Sequence, residues 1–453
     1  MFKVLKQEMN PQKKPSKSQA LLVGGGASML LLVPALFLGV SSLTGVTYQG
    51  IVTNATTTIS GKVVKAKPSL PHVKPPEPLK AIYMSQCVVG TPSFREDLVE
   101  LVDETELNAI VIDIKDYTGK ISFTTENPKL SHAVSNECGA LDMPAFLKHL
   151  HEKDIYVIGR VTVFQDPYYT SIRPDLAVHR QSATTTPWKD YKGLSFIDVG
   201  AKEYWDYIIE LSHEAYAIGF DELNYDYVRY PSDGNMKDTY FTHSNGNKKA
   251  EELEKFFRYL HAHMTDSELY PNERPMLSAD LFGYTTVLTD DLGIGQQLER
   301  ALPYFDYIAP MVYPSHYNSG FAGLKNPNSD PYKVIYTSMV EAVNRAKATE
   351  TPVETLEGEK LFDDEIVPAY TNSAGEFIAT STKKVATGMY SKPPHSPLKL
   401  RPWLQDFDYG GDYGAIEVRA QIQATYDSGL TSWFLWAPSN RYTRGALLNT
   451  GAE

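Results

Sequence analysis

From Lys80 to the end of the chain, short runs rich in β-branched and aromatic residues alternate with stretches of helical periodicity. This rhythm restricts the available folds more than any single motif. Strand-like runs fall at Ala81–Val89, Ala109–Ile114, Ile155–Phe164, Phe220–Val228, Met276–Phe282, Tyr307–Val312, Leu398–Leu404 and Ser432–Trp436. Helical patterns separate most of them, at Phe94–Glu104, Met143–Lys153, Lys202–Ile218, Lys249–His263, Tyr332–Lys347 and Glu417–Ser428. Eight strands alternating with helices predict an α/β fold, a (β/α)8 TIM barrel over residues 80–450. A doubly wound sheet is the alternative, but no G-x-G-x-x-G follows the first strand. The polar segment 351–397 breaks the alternation and reads as an insertion, a small hairpin or lid.

The residues before Lys80 read differently. Residues 1–19 are basic, with Lys3, Lys6, Lys13, Lys14 and Lys17 against Glu8, and residues 20–40 are strongly apolar. That apolar run matches a bilayer core, and its basic flank predicts a cytoplasmic N-terminus with the remainder outside. A cleaved signal peptide is the competing reading, with the same destination. Residues 41–79, rich in Thr and then Pro, read as an extended linker. Cys87 and Cys138 cannot form a disulfide framework or a four-cysteine zinc site, although a single bridge is open to them outside the cytoplasm. The net charge of -12 argues against nucleic acid as a partner. The 11 histidines show no metal-ligand spacing near the carboxylates discussed next, so neither metal nor cofactor is expected.

Charged and aromatic residues gather where the strands end, and in a barrel these positions converge on one mouth. Gly219–Pro231, GFDELNYDYVRYP, is the most telling, because charge at this density is costly in an ordinary buried strand. Alternation puts Glu222, Asn224 and Asp226 on one face and bulky Leu223, Tyr225 and Tyr227 on the other. Asp226 should therefore face the barrel axis near its top, with Asp280 facing it from the next strand. Two carboxylates on adjacent strand tops suit glycoside hydrolysis, one ionised beside a cation such as Arg160 or Arg229 and the other kept protonated by burial. Candidate substrate contacts are Asp113, Lys115, Arg160, Arg229, Tyr313, His316, Gln405, Asp406, Trp436 and Asn440. Each has a structural alternative, such as an ion pair between Asp113 and Lys115 or between Asp226 and Arg229. Trp433 and Trp436 should point to opposite faces, with Trp436 toward the mouth.

Gly219–Pro231, together with Met276–Gly283, Phe305–Tyr317, Leu400–Phe407 and Ser432–Tyr442, resembles a glycoside hydrolase family of bacterial barrel proteins distantly related to α-amylases. The resemblance implies a (β/α)8 barrel and glycosidase activity, with Asp226 at the strand-four nucleophile position. It also implies an acid on strand five, usually Glu, where this chain has Asp280, and it offers Asp406 as a third carboxylate. Two functions follow as expectations. One is a membrane-anchored hydrolase of cell-surface or extracellular polysaccharide; the other is a glycan-binding barrel without turnover that serves as a cell-envelope scaffold.

Overall fold

The computed structural model describes residues 71–244, 246 and 248–451, together with the backbone of 57–59 and 62–64, which pair antiparallel. The anchor expected at 20–40 and most of the 41–79 linker lie outside the described residues. Among those residues, no helix is long and apolar enough to cross a membrane.

Eight strands close into a barrel, each hydrogen-bonded in parallel to the next in chain order and the last to the first. They are β1 (Lys80–Met84), β2 (Ala109–Lys115), β3 (Tyr156–Thr162), β4 (Glu222–Asp226), β5 (Met276–Phe282), β6 (Tyr307–Met311), β7 (Trp403–Gln405) and β8 (Trp433–Trp436). The main helices are α1 (Pro92–Asp103), α2 (Met143–Glu152), α3 (Lys202–Ala217), α4 (Lys249–Met264), α5 (Pro331–Lys347) and α6 (Ala415–Asp427). Between β5 and β6 the chain forms only a short helix, Leu298–Ala301.

The helices form where apolar residues recur every three or four positions. On α3, Tyr204, Ile208, Leu211 and Ala215 are buried at this spacing and pack into the layer between strands and helices. The helix stops at Ala217, and Gly219 turns the chain with φ 117°, a conformation a side chain would resist. Asp330 caps α5 by accepting the Lys333 amide at 3.0 Å, with Pro331 at the first helical position, where no amide donor is needed. On β3, a Cβ at Gly159 would come within 2.1 Å of Ile114 and 2.9 Å of Phe220, so a larger residue would force these overlying side chains to shift.

Three strands end or begin differently from their sequence pattern. β1 stops at Met84, and Gln86–Val89 turns into a short helix. Asn440 holds that turn by accepting the Ser85 amide, and a Cys87–Cys138 disulfide fastens it with Cα atoms 4.4 Å apart. β4 stops at Asp226 because Tyr227 adopts φ 53°, a left-handed conformation incompatible with a continuing strand. β7 begins only at Trp403, after a 3-10 turn at Pro397–Lys399.

Alternation along the strands separates two layers. Ala81, Tyr83, Ala109, Val111, Tyr156, Ile158, Ala309, Trp403 and Phe434 fill the barrel, while Ile82, Ile110, Ile112, Leu223, Tyr225 and Leu435 face the helices. Val73 joins the inner cluster from the segment before β1, its amide donating to Asp221 at 2.8 Å. The His72 ring stacks on Tyr216 at 3.9 Å, and Leu79 is fully buried. The end of the expected linker thus covers the barrel floor, because strand starts leave apolar side chains that something must shield from water. The insertion forms an antiparallel arm, Lys360–Val367 with Ser381–Ser391, tipped by the pair Tyr370–Thr371 and Phe377–Ile378.

Candidate active site

The barrel mouth is organised around one guanidinium. Arg160, near the end of β3, donates to Asp113 on β2 at 2.6 Å and to Asp226 on β4 at 2.5 Å from Nη2 and 3.2 Å from Nε. Its Nε also lies 3.8 Å from Asp280 on β5. Because oxygens of Asp226 and Asp280 reach the same nitrogen, they stand no more than about 7 Å apart, so the two carboxyls share one corner of the mouth, as two-carboxylate glycoside hydrolysis requires. The four side chains come from four consecutive strands, each carrying an inward-facing charged group at its last position or two residues before it.

The surroundings give each group a different electrostatic character. Asp113, Asp226 and Asp280 are only 2%, 5% and 1% exposed. Burial pushes the Asp280 carboxyl well above its ordinary value, and the charge of Asp226 adds to the shift. Donation to its Oδ1 from Asn224 at 2.9 Å and from the Trp403 indole at 2.7 Å offsets this only partly. Burial likewise raises Asp113, against the pull of Arg160 and of the Tyr83 hydroxyl, which donates at 2.5 Å. Burial alone would lower Arg160, but Asp226 and Asp113 hold it firmly charged. Asp226 also accepts the Tyr227 amide at 2.5 Å, an arrangement made by the left-handed turn at that residue. A guanidinium thus occupies the place a cation would take between these acids, and among the described residues no His, Cys, Asp or Glu cluster is arranged to hold a metal.

Aromatic side chains wall the site. Trp436 points inward from β8 and stacks on Tyr83 at 4.1 Å, with Arg160 5.3 Å from its ring, while Trp433 faces the helices and donates to Tyr426. Trp436 keeps part of its surface exposed. Tyr313 is buried beside the acids, its hydroxyl pushed well up by burial and by the charges of Asp280 and Asp226. His316 is exposed and meets the rings of Tyr313 and Phe407 edge-on.

Several expected substrate contacts have other work. Lys115 follows an irregularity in the β2–β3 pairing and turns away from Asp113. It is fully buried, donating to the Thr162 carbonyl at 2.6 Å and pairing with Asp166 at 2.9 Å. Asp406 accepts the Thr443 amide and hydroxyl at 2.9 and 2.6 Å, so it fastens a loop and supplies no third carboxylate to the Arg160 cluster. Gln405 accepts from Ser315, and Asn440 bridges Ser85 and Ala437; both position loops around the mouth. Among the described residues Arg229 pairs with no carboxylate, and the cation beside Asp226 is Arg160. Conversely, Tyr83, Asn224 and Trp403 belong to the site, each donating to one of its acids, and are absent from the candidate contacts that the sequence suggests. Strand alternation carried a signal for each: Tyr83 two residues after Ala81, Asn224 two before Asp226, and Trp403 two before Gln405.

A sequence model of the family described as "Putative glycosyl hydrolase domain" matches residues 81–355 and 364–442. No curated protein matches the chain. Among solved structures, a hypothetical protein from Ruminiclostridium thermocellum is 30% identical, over 47% of this chain and 98% of that one, with a TM-score of 0.38. The PgaB (BpsB) glycoside hydrolase domain from Bordetella bronchiseptica is 10% identical, over 82% and 99%, with a TM-score of 0.49. The spore cortex-lytic enzyme SleL from Bacillus megaterium is 9% identical, over 86% and 76%, with a TM-score of 0.40. The family match runs from β1 to just beyond β8 and takes in every acid of the mouth, and on that extent the chain belongs to this glycosyl hydrolase family.

Proposed function

We propose that the protein hydrolyses glycosidic bonds in a cell-surface or extracellular polysaccharide, with Asp226 as nucleophile and Asp280 as general acid. One observation carries this assignment: both carboxyls lie against one nitrogen of Arg160, in a setting where burial and the Asp226 charge favour the protonated form of Asp280. Asp280 would pass its proton to the departing glycosidic oxygen as that bond breaks, and Asp226 would bond to the anomeric carbon. Water would then attack that carbon, returning its proton to Asp280 and releasing Asp226. Trp436, flat against Tyr83 and partly open, suits stacking on a sugar ring.

The reaction is placed outside the cytoplasm, with the chain held by an anchor at 20–40. The basic flank before that apolar run supports this placement, as does the Cys87–Cys138 disulfide, a bond typical of oxidising compartments. The test is release of reducing ends from a panel of polysaccharides by the full chain. Wild type should cleave at least one polymer that Asp226→Asn and Asp280→Asn leave intact; equal release by all three would contradict the assignment.

A second reading, glycan binding without turnover, is favoured by the two donors that already satisfy Asp280 Oδ1. It predicts saturable glycan binding, weakened by Trp436→Ala, with no product from any polymer in the panel.

A further inference from the structure

Arg229 stands three residues beyond Asp226, on the segment that leaves β4 at the mouth. Its guanidinium lies against the Tyr227 ring at 4.8 Å, Phe282 at the end of β5 at 4.9 Å and Phe196 at 5.7 Å. It is 9% exposed, between the half-buried Tyr227 and Phe282. Nη1 donates to the Tyr230 carbonyl at 3.0 Å and the Ser232 hydroxyl at 3.2 Å. Among the described residues, no carboxylate comes within ion-pair distance of it; Asp226, Asp190 and Asp233 act only at longer range. The contrast with Arg160, which gathers three acids, and Lys115, which is matched by Asp166, is sharp.

Holding a guanidinium out of water without a counter-ion is costly, and cation–π contacts return only part of that cost. Burial indeed works against its charge. Aromatic rings hold the guanidinium in place without neutralising it, so an anion arriving from the mouth would supply the counter-charge that no described residue provides. From this we infer that Arg229 receives an anionic substituent of the sugar, a carboxylate or a sulfate, and that the substrate is an acidic glycan. This inference rests on the proposed function and names the substrate class for the same site.

The experiment measures binding to the full chain carrying Asp226→Asn, so that no substrate is consumed. The probes are oligosaccharides of polygalacturonate, alginate, hyaluronan and glucuronoxylan, each paired with its carboxyl-reduced neutral counterpart, and a sulfated galactan paired with its desulfated form. At least one acidic member should bind roughly 10- to 100-fold more tightly than its neutral partner, and Arg229→Gln should abolish that preference. Which pair shows the preference separates carboxylate from sulfate. Arg229→Lys keeps the charge but not the fork and should restore part of the preference. In case Arg229→Gln does not fold, the salt dependence of the Asp226→Asn protein is an independent reading, since affinity for the acidic member should fall with salt while that for its partner stays level. Equal affinity for acidic and neutral partners overturns the inference while leaving the glycosidase reading standing. Binding of neither kind overturns both.

Discussion

At each end of the barrel an arginine is buried against one or more carboxyls, and the two ends balance its charge in opposite ways. At the floor, Arg401 is fully buried, donates to Glu222 at 2.9 Å and lies 3.1 Å over the Tyr307 ring, with the Tyr156 hydroxyl donating to the same carboxylate at 3.1 Å. One cation meets one anion at the strand starts. At the mouth, Arg160 meets three carboxyls, two of which burial raises above their ordinary range. The floor pair serves only the fold, whereas the mouth carries an excess of acid that is tolerable while protons stay on some of its members. That excess is what general acid catalysis needs, and it implies that the mouth trades stability for chemistry.

Mutations at the two ends should separate these roles. The largest effect belongs to Asp226→Asn, which should reduce hydrolysis about a thousandfold or more with little change in melting temperature, as steady-state rates and calorimetry would show. A comparable loss of stability would place Asp226 in the fold, like Glu222. Next, Arg401→Ala should cost about 3–5 kcal/mol by denaturant unfolding, because Glu222 is left buried without its partner. Arg160→Gln should also destabilise at pH 7–8, but its loss should shrink as pH falls and Asp113 and Asp280 take up protons. If the two arginine variants share one pH dependence, the contrast between the ends fails.

Asp280→Asn carries the opposite sign. The folded value of Asp280 lies above its unfolded 3.8. The unfolded chain therefore releases this proton first as pH rises, and wild-type stability declines from there up to the folded value. The variant should escape this decline, being more stable than wild type near pH 7 with the gain vanishing toward pH 4, although its hydrolysis falls about a hundredfold or more. The smallest effect expected is that of Trp436→Ala, which should weaken glycan binding roughly three- to tenfold and leave the pH profile unchanged.

The barrel was legible because strand and helix periods differ and repeat eight times, and alternation on β4 and β5 was enough to aim Asp226 and Asp280 inward. Pairing among charges was not legible. Nothing in the sequence distinguishes Arg160 from Arg229 as the partner of Asp226; that depends on the left-handed Tyr227, which carries Arg229 out of the strand and onto aromatic rings. Alternation assumes regular pairing and so aims Lys115 at the mouth, but an irregularity after Asp113 sends it outward to Asp166. The segment at Val73 reads as spacer in sequence because its contacts, such as that with Asp221, lie far along the chain. Alternation turns Tyr83, Asn224 and Trp403 inward, but which acid each hydroxyl, amide and indole meets is set by contacts between strands far apart in the chain.

The most direct test needs no substrate: carbon-13 NMR titration of the Asp280 carboxyl in the full chain, with and without Asp226→Asn. Asp280 should titrate well above 3.8 in wild type and move down once the neighbouring charge is removed. Titration near 3.8 in both proteins, or a raised value indifferent to Asp226, would contradict the account of a coupled acid and nucleophile at this mouth.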